Sequence, residues 1–413
     1  MATFKSFFAA ILGSLALLAP PGSAQPVSGD AALLARAAQA DFVLLGEATH
    51  GTREFYLERA RITDALAQTG GLRAVAIEGD WSGAERVNRY VRGEGTDRSA
   101  TQALSDFEAF PAWMWRNAEF RDFVERLRAI NAVRAPEQRI GVYGLDVYDV
   151  FDASAAVTRY LAREDPAAAR SVSKAFGCFK PYGRSMEAYS LAVRRGRSCE
   201  AAAAEGLRAI KALPPPKPDQ AEGRFAAAQA ARAVVGGEEY WRVHQTTGYS
   251  WNARDRRMAA SAQAVRAHVG GQVAIWAHNT HVGDARHTNM TERGEISLGQ
   301  LLRDGRRTLL VGQLTHEGEV LAARNWDGPP RVSDVRPSIT GSHEAALSAT
   351  AAARQVLVGS DLPTGRRAPQ RAIGVVYLPA QEREANWIAA DLGKQFDAVI
   401  FTRRTTPVSA LRG

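Results

Sequence analysis

Apolar residues in this chain come in short continuous runs that stop abruptly at glycine and polar residues. Phe42-Val43-Leu44-Leu45 runs into Gly46-Glu47-Ala48-Thr49-His50-Gly51, Leu72 to Ile77 into Glu78-Gly79-Asp80, and Ile140 to Tyr143 into Gly144-Leu145-Asp146. Runs of this length, apolar at every position, suit strands buried on both faces of a parallel sheet. Between the first two, Thr52 to Thr69 places Phe55, Ile62 and Leu66 among arginines and acids, a helical pattern that starts at Thr52, a good N-cap residue. The result is a strand-helix-strand unit. Strand-like runs return at Gln272 to Ala277, Thr308 to Leu314, Gln355 to Val358, Ile373 to Leu378 and Phe396 to Phe401.

The middle of the chain has another texture. Phe151 to Ala212 and Gln220 to His268 are rich in alanine and arginine with helical spacing, separated by Pro214-Pro215-Pro216-Lys217-Pro218, a stiff polyproline loop. No fixed internal period is present, so this is an insertion and not a repeat array. The expected fold is α/β, a mostly parallel sheet with flanking helices. Its α/β parts cover about residues 40–150 and 270–405, and a helical insertion subdomain covers about 151–268.

The start of the chain alters the compartment. One lysine, Lys5, precedes the apolar run Phe7 to Leu18, and Pro20-Pro21-Gly22-Ser23-Ala24 follows. This is the layout of a signal peptide over residues 1–24, with a periplasmic or secreted mature chain from residue 25. The run is too short for a stop-transfer helix, so no membrane attachment is expected after cleavage. Export gives meaning to the only two cysteines: Cys178 and Cys199 are expected to pair in an oxidising compartment.

Composition excludes several classes. The 413 residues are 46% hydrophobic with 23% charged, which rules out intrinsic disorder and a polytopic membrane protein. The net charge of +8 raises the question of nucleic acid, but the charges are scattered, as in Arg53, Glu54, Glu58, Arg59 and Arg61. Only six of the 52 basic residues are lysines, so general arginine usage accounts for the excess and no nucleic-acid partner is expected.

Ligands of open α/β sheets bind at the carboxyl ends of the strands, where Glu47, His50, Glu78, Asp146, His278 and His281 fall. Neutral imidazole is a good proton acceptor near neutral pH, and a carboxylate partner raises its basicity and fixes its tautomer. His50 is therefore the expected general base on a water, oriented by Glu78 or Glu47, with His278 and His281 acting on the carbonyl oxygen or the leaving group. Arg59 either pairs with one of these glutamates or is a solvated helix residue. Asp146 reads best as a cap for the helix after Tyr148. No cofactor is required by this scheme, although His50, His278 and His281 together also suit a divalent metal or haem, the alternative reading. Trp113, Trp115, Phe107 and Phe110, and again Trp241, Tyr249 and Trp251, either line an apolar substrate pocket or face the core. No Gly-x-Ser-x-Gly elbow, P-loop, dinucleotide fingerprint or His-Glu-x-x-His is present.

In order, the segments Gly46-Glu47-Ala48-Thr49-His50-Gly51 with Glu54-Phe55, Ile77-Glu78-Gly79, Gly144-Leu145-Asp146, Arg254-Asp255-Arg256-Arg257-Met258-Ala259, Ala277-His278-Asn279-Thr280-His281, Ser297-Leu298-Gly299 and Phe396-Asp397-Ala398-Val399 resemble the erythromycin esterase family. The resemblance runs from about Phe42 to Thr405. It implies a two-lobed α/β fold and a carboxylic ester hydrolase. Such an enzyme opens an ester or a macrolide lactone with a water nucleophile and no covalent intermediate, so the implied partner is a small-molecule ester or lactone. It also implies that Glu47, His50, Glu78, His278 and His281 carry the reaction, with Arg59 at the position of a further family arginine.

Overall fold

A computed structural model describes residues 29–244 and 249–411; the expected signal peptide lies outside the described residues. The chain opens with α1 (Gly29–Ala38), β1 (Phe42–Leu45), α2 (Arg53–Gln68), β2 (Leu72–Ile77), α3 (Trp81–Val91), α4 (Ala100–Ala103), α5 (Ala118–Ala132) and β3 (Gly141–Gly144). A helical stretch follows: α6 (Val150–Glu164), α7 (Pro166–Phe176), α8 (Met186–Val193), α9 (Glu200–Ala212), α10 (Ala221–His244) and α11 (Ser250–Val269). The sheet then resumes with β4 (Gln272–Trp276), α12 (Asn279–Val282), α13 (Leu298–Arg303), β5 (Thr308–Ala322), β6 (Arg331–Val335), α14 (His343–Ser348) and β7 (Arg354–Val358). The chain closes with β8 (Ala368–Arg371), α15 (Glu382–Ala385), β9 (Trp387–Ala390), α16 (Leu392–Gln395) and β10 (Ala398–Thr405).

The main sheet has the order β3-β2-β4-β1-β5-β10-β7. The pairs from β3 to β10 are parallel, and β7 closes the edge antiparallel to β10. From β1 the chain crosses to β2 on one side, and from β4 it crosses to β5 on the other. The carboxyl ends of β1 and β4 therefore flank the crevice that such a reversal opens. The expected strand from Thr308 continues to Ala322, and its far half pairs antiparallel with β6.

Strand side chains alternate between two cores, which is why the runs are apolar throughout. Phe42, Leu44, Ala74, Ala76, Val273 and Ile275 point to one face, and the helices α6 to α11 supply much of the core that covers it. Val43, Leu45, Val75, Ile77, Ala274 and Trp276 point to the other, against α2, α3 and α5. The inserted helices thus share one continuous core with the sheet face they cover. A disulfide joins Cys178 and Cys199, 21 positions apart. Closing a loop of that length stabilises by roughly 3 kcal/mol on the chain-entropy model.

Three expectations need correction. Ile373 to Leu378 is not a strand: it meets the ends of other segments in single bridges, Ile373 with Thr49 and Val376 with Ala323. The neighbouring strand is β8, which pairs with β9 in a separate two-stranded sheet. Asp146 does not cap the helix after Tyr148. Asp149 lies directly before α6 and accepts from the Ala153 amide. Thr52 does occupy the N-cap of α2, but its hydroxyl bonds that of Thr49 instead of an amide. The Arg53 amide is satisfied by the Thr406 carbonyl, so the C-terminal segment caps this helix.

Candidate active site

The turn after β1 is built for close approach. A side chain at Gly46 would collide with Asn279, whose amide nitrogen reaches the Glu47 carbonyl and whose Nδ2 reaches the Gln313 carbonyl. This lets the turns after β1 and β4 touch, and their histidines meet: the rings of His50 and His278 are 4.9 Å apart.

Behind His50 runs a buried charge chain. Glu47 Oε1 lies 3.0 Å from Nδ1 of His50, and Oε2 lies 2.8 Å from Nη2 of Arg59. Arg59 and Glu47 are both wholly buried, and the guanidinium stands over the Tyr56 ring at 4.2 Å and the Trp276 ring at 5.0 Å. An arginine with no access to water needs a close counter-ion, and Glu47 is the one it meets. Arg59 is thus the pairing arginine, and Glu47, not Glu78, is the group that orients His50. With Nδ1 facing a carboxylate, Nε2 of His50 is the unprotonated nitrogen.

The second cluster hangs on Glu78 and Arg254. Glu78 Oε1 accepts from Nη2 of Arg254 at 2.8 Å, Oε2 accepts from the His278 amide at 2.7 Å, and the carbonyl accepts from Nε1 of Trp115. Arg254 also grips Asp146 through Nε at 2.8 Å and Nη2 at 2.5 Å. Burial would push the Glu78 carboxyl up, but His281, Arg254 and His50 together hold it well below the usual carboxylate range. Asp80 behaves oppositely: burial, then Asp149 and Asp146 beside it, push its carboxyl well above that range.

His278 and His281 are three residues apart and titrate in opposite directions. Burial is the largest cause that lowers His278 to about 3. Its Nδ1 accepts from the Thr280 amide at 3.3 Å and lies 2.7 Å from the Thr280 hydroxyl, so the proton of the neutral ring is on Nε2, a buried atom with no partner among the described residues. For His281, burial also favours the neutral ring, but Asp255 and Glu78 outweigh it and raise the pKa to about 9. Nδ1 of His281 lies 2.9 Å from Asp255, Nε2 lies 3.3 Å from Glu78 and 2.8 Å from Nη1 of Arg254, and Trp251 stacks on the ring at 4.3 Å.

These groups form the floor of a cavity of about 690 Å³. His50, Glu78, Asp146, His278 and His281 line it, while Glu47 and Arg59 lie behind. Of the aromatic residues singled out from the sequence, Phe107, Phe110, Trp115, Trp241 and Trp251 also line it; Trp113 is buried in the core, and Tyr249 is exposed. Among the described residues, no group of three or more His, Cys, Asp and Glu side chains is placed to hold a metal ion.

The model of the erythromycin esterase family matches residues 67–405. The chain belongs to the erythromycin esterase family. The matched span contains Glu78, Asp146, Arg254, His278 and His281, and the β1 turn with Glu47 and His50 lies just before it. A succinoglycan biosynthesis protein shares the fold at a TM-score of 0.76 and 19% identity, each chain covered to 94%. A protein from Bacillus cereus matches with the same figures. A mutant of the erythromycin esterase EreC in its open conformation matches at a TM-score of 0.62 and 15% identity, covering 91% of this chain and 92% of the other. Family membership supports a hydrolase of the ester or lactone type acting on a small molecule. Arg254, Asp255 and Trp251 are the members of this esterase-family site that strand-end reasoning does not reach, since they come from the helix before β4.

Proposed function

We propose that this protein hydrolyses a carboxylic ester or lactone by direct attack of water. The observation that carries this reading is the pairing of a carboxylate-backed His50 with a neutral His278 across the cleft floor. His50 Nε2 takes a proton from water as the oxygen attacks the acyl carbon. His278 Nε2–H, a buried donor with no other partner, receives the developing oxyanion. His281 and Arg254 add positive charge, and the proton held by His50 returns to the alkoxide as the acyl C–O bond breaks. The charge chain through Glu47 and Arg59 stabilises the imidazolium that forms between these steps.

Direct attack is supported by the lining. Both cysteines are bridged, and among the described residues that line the cleft the hydroxyl bonded to a histidine is that of Thr280, which faces a ring too acidic to serve as base near neutrality. A macrolide lactone is within this proposal, since the family match and a cavity of about 690 Å³ both accommodate a large substrate. Export is proposed as well, on the apolar run before residue 25 and the disulfide.

The test is a screen of aryl esters, glycan acyl esters and macrolides, read by mass spectrometry for the addition of one water, repeated in ¹⁸O-water under single turnover. Label in the carboxylate and not in the alcohol is expected from acyl–oxygen cleavage, and an intact mass of the protein that stays unacylated during the turnover supports direct attack. Trapping of an acylated protein at Thr280 overturns it, and no turnover of any ester removes the hydrolase reading.

A further inference from the structure

One wall of the cleft is supplied by a segment that the disulfide closes. Arg184, Met186 and Glu187 line the cavity, and all three lie between Cys178 and Cys199. They are far in sequence from the strand-end groups. Met186 is buried at the start of α8, and the cavity lining also includes Phe151 and Trp241, so the segment adds an apolar contact beside the charged Arg184 and Glu187.

The bridge is tied to that wall through one side chain. Tyr189, fully buried on α8, accepts from the Cys199 amide at 3.0 Å and donates to Glu238 of α10 at 2.6 Å. Phe179 and Tyr182 pack on the same ring at 5.7 and 5.3 Å, and Ser190 donates to the carbonyl of Trp241, itself a lining residue. Cys199 thus holds Tyr189, and Tyr189 holds α8 at the distance from α10 that puts Met186 in the cleft. The segment contains the positive-φ turn at Gly183 and a run of exposed residues near 194–198.

We propose that the segment closed by Cys178 and Cys199 is the specificity wall of this cleft, and that the bridge is a positioning element. It selects esters whose part remote from the scissile bond is bulky and apolar. Selection then depends on oxidation: an open bridge frees α8, lowers affinity for large apolar ligands and leaves the floor unchanged. The proposal rests on the hydrolase reading only in taking the cleft as the substrate site.

Binding and turnover are measured separately so that the two readings fail separately. Titration of tryptophan fluorescence with N-dodecylacetamide, an inert probe, compares the oxidised chain, the Cys178→Ser/Cys199→Ser variant and Met186→Ala, with circular dichroism as the folding control. The dissociation constant is expected to rise about tenfold in both variants, which corresponds to about 1.4 kcal/mol. On p-nitrophenyl dodecanoate, KM is expected to rise by a similar factor in the serine variant with kcat nearly unchanged, whereas kcat/KM for p-nitrophenyl acetate changes by less than about twofold. Unchanged amide affinity in Met186→Ala, which keeps the bridge, overturns the wall. Unchanged affinity in a folded serine variant overturns the role of the bridge. Absence of ester turnover bears on the hydrolase reading alone, because the amide titration still decides the wall.

Discussion

The floor and the wall of the cleft are made in different ways. The floor consists of ionisable groups held by hydrogen bonds and ion pairs, most of them standing on the ends of strands buried on both faces. The wall consists largely of aromatic and apolar side chains from the 107–115 loop and the turn at Trp326, with Met186 of the disulfide-closed segment beside Arg184 and Glu187. Rigid strands hold reacting groups within the tolerance that proton transfer requires, and loops can change shape without disturbing them. On the proposed reading the floor determines the reaction, and the wall determines which ester undergoes it. Substitutions in the first should act on kcat, and substitutions in the second on KM.

The largest effect is expected at His50. His50→Ala removes the base and should lower kcat by about 10³ to 10⁴ with KM and thermal stability little changed. Activity within tenfold of the parent would transfer the base role elsewhere. His278→Phe keeps ring and volume but deletes the Nε2–H donor, and a loss of about 10² to 10³ in kcat is expected, the range for a single oxyanion donor. If the loss appears in KM instead, His278 belongs to binding.

Within the floor, His281 supplies a pH test. Its pKa is raised to about 9, above the ordinary 6.5, so the charged ring contributes stability and positive field that are complete below about 6.5 and are lost as pH rises through about 9. Activity should fall along an alkaline limb near that value. Asp255→Asn removes the principal attraction on the ring, and the limb should move towards neutrality by more than about one pH unit. A limb that does not move would assign it to another group. Thermal stability should show the same displacement, since the proton is lost from the folded state.

The sequence reveals the floor more readily than the wall, for a physical reason. A strand buried on both faces declares itself locally, as an apolar run closed by glycine, and parallel pairing brings all such ends to one edge. Glu47, His50, Glu78, His278 and His281 converge for that reason alone. Which carboxylate serves which histidine is a matter of side-chain reach across the sheet, so Glu47 takes His50 while Glu78 turns to Arg254. Asp146 was expected at a helix N-terminus because it precedes one, but Asp149 stands closer to α6 and leaves Asp146 for Arg254. Arg254 and Asp255 left a trace: they fall at the spacing of Met258, Ala259 and Ala262, the buried side of α11, and two charges on an apolar helix face need partners. The stretch Ile373 to Leu378 has strand-forming residues, yet it lies across the turn after β1 and finds only single bridges. Contacts of the wall join segments from about fifty to more than two hundred residues apart, such as Tyr189 with Glu238 and Phe110 with Trp326, and no local pattern encodes them.

The smallest effect should come from the rim of the wall. Trp326 is half exposed, lines the cavity and packs its ring 5.0 Å from that of Phe110. Trp326→Ala removes an aromatic contact of about 0.5 to 1.5 kcal/mol together with some apolar cover, so KM for a bulky ester should rise about threefold to tenfold. Because the indole touches none of the charged floor, kcat on p-nitrophenyl acetate should stay within about twofold of the parent. A matching fall in kcat for both esters would mean that the rim positions the reacting carbonyl, and the division between floor and wall would then fail at this point. A rise in KM confined to the bulky ester would extend the wall from α8 across the mouth of the cleft to Trp326.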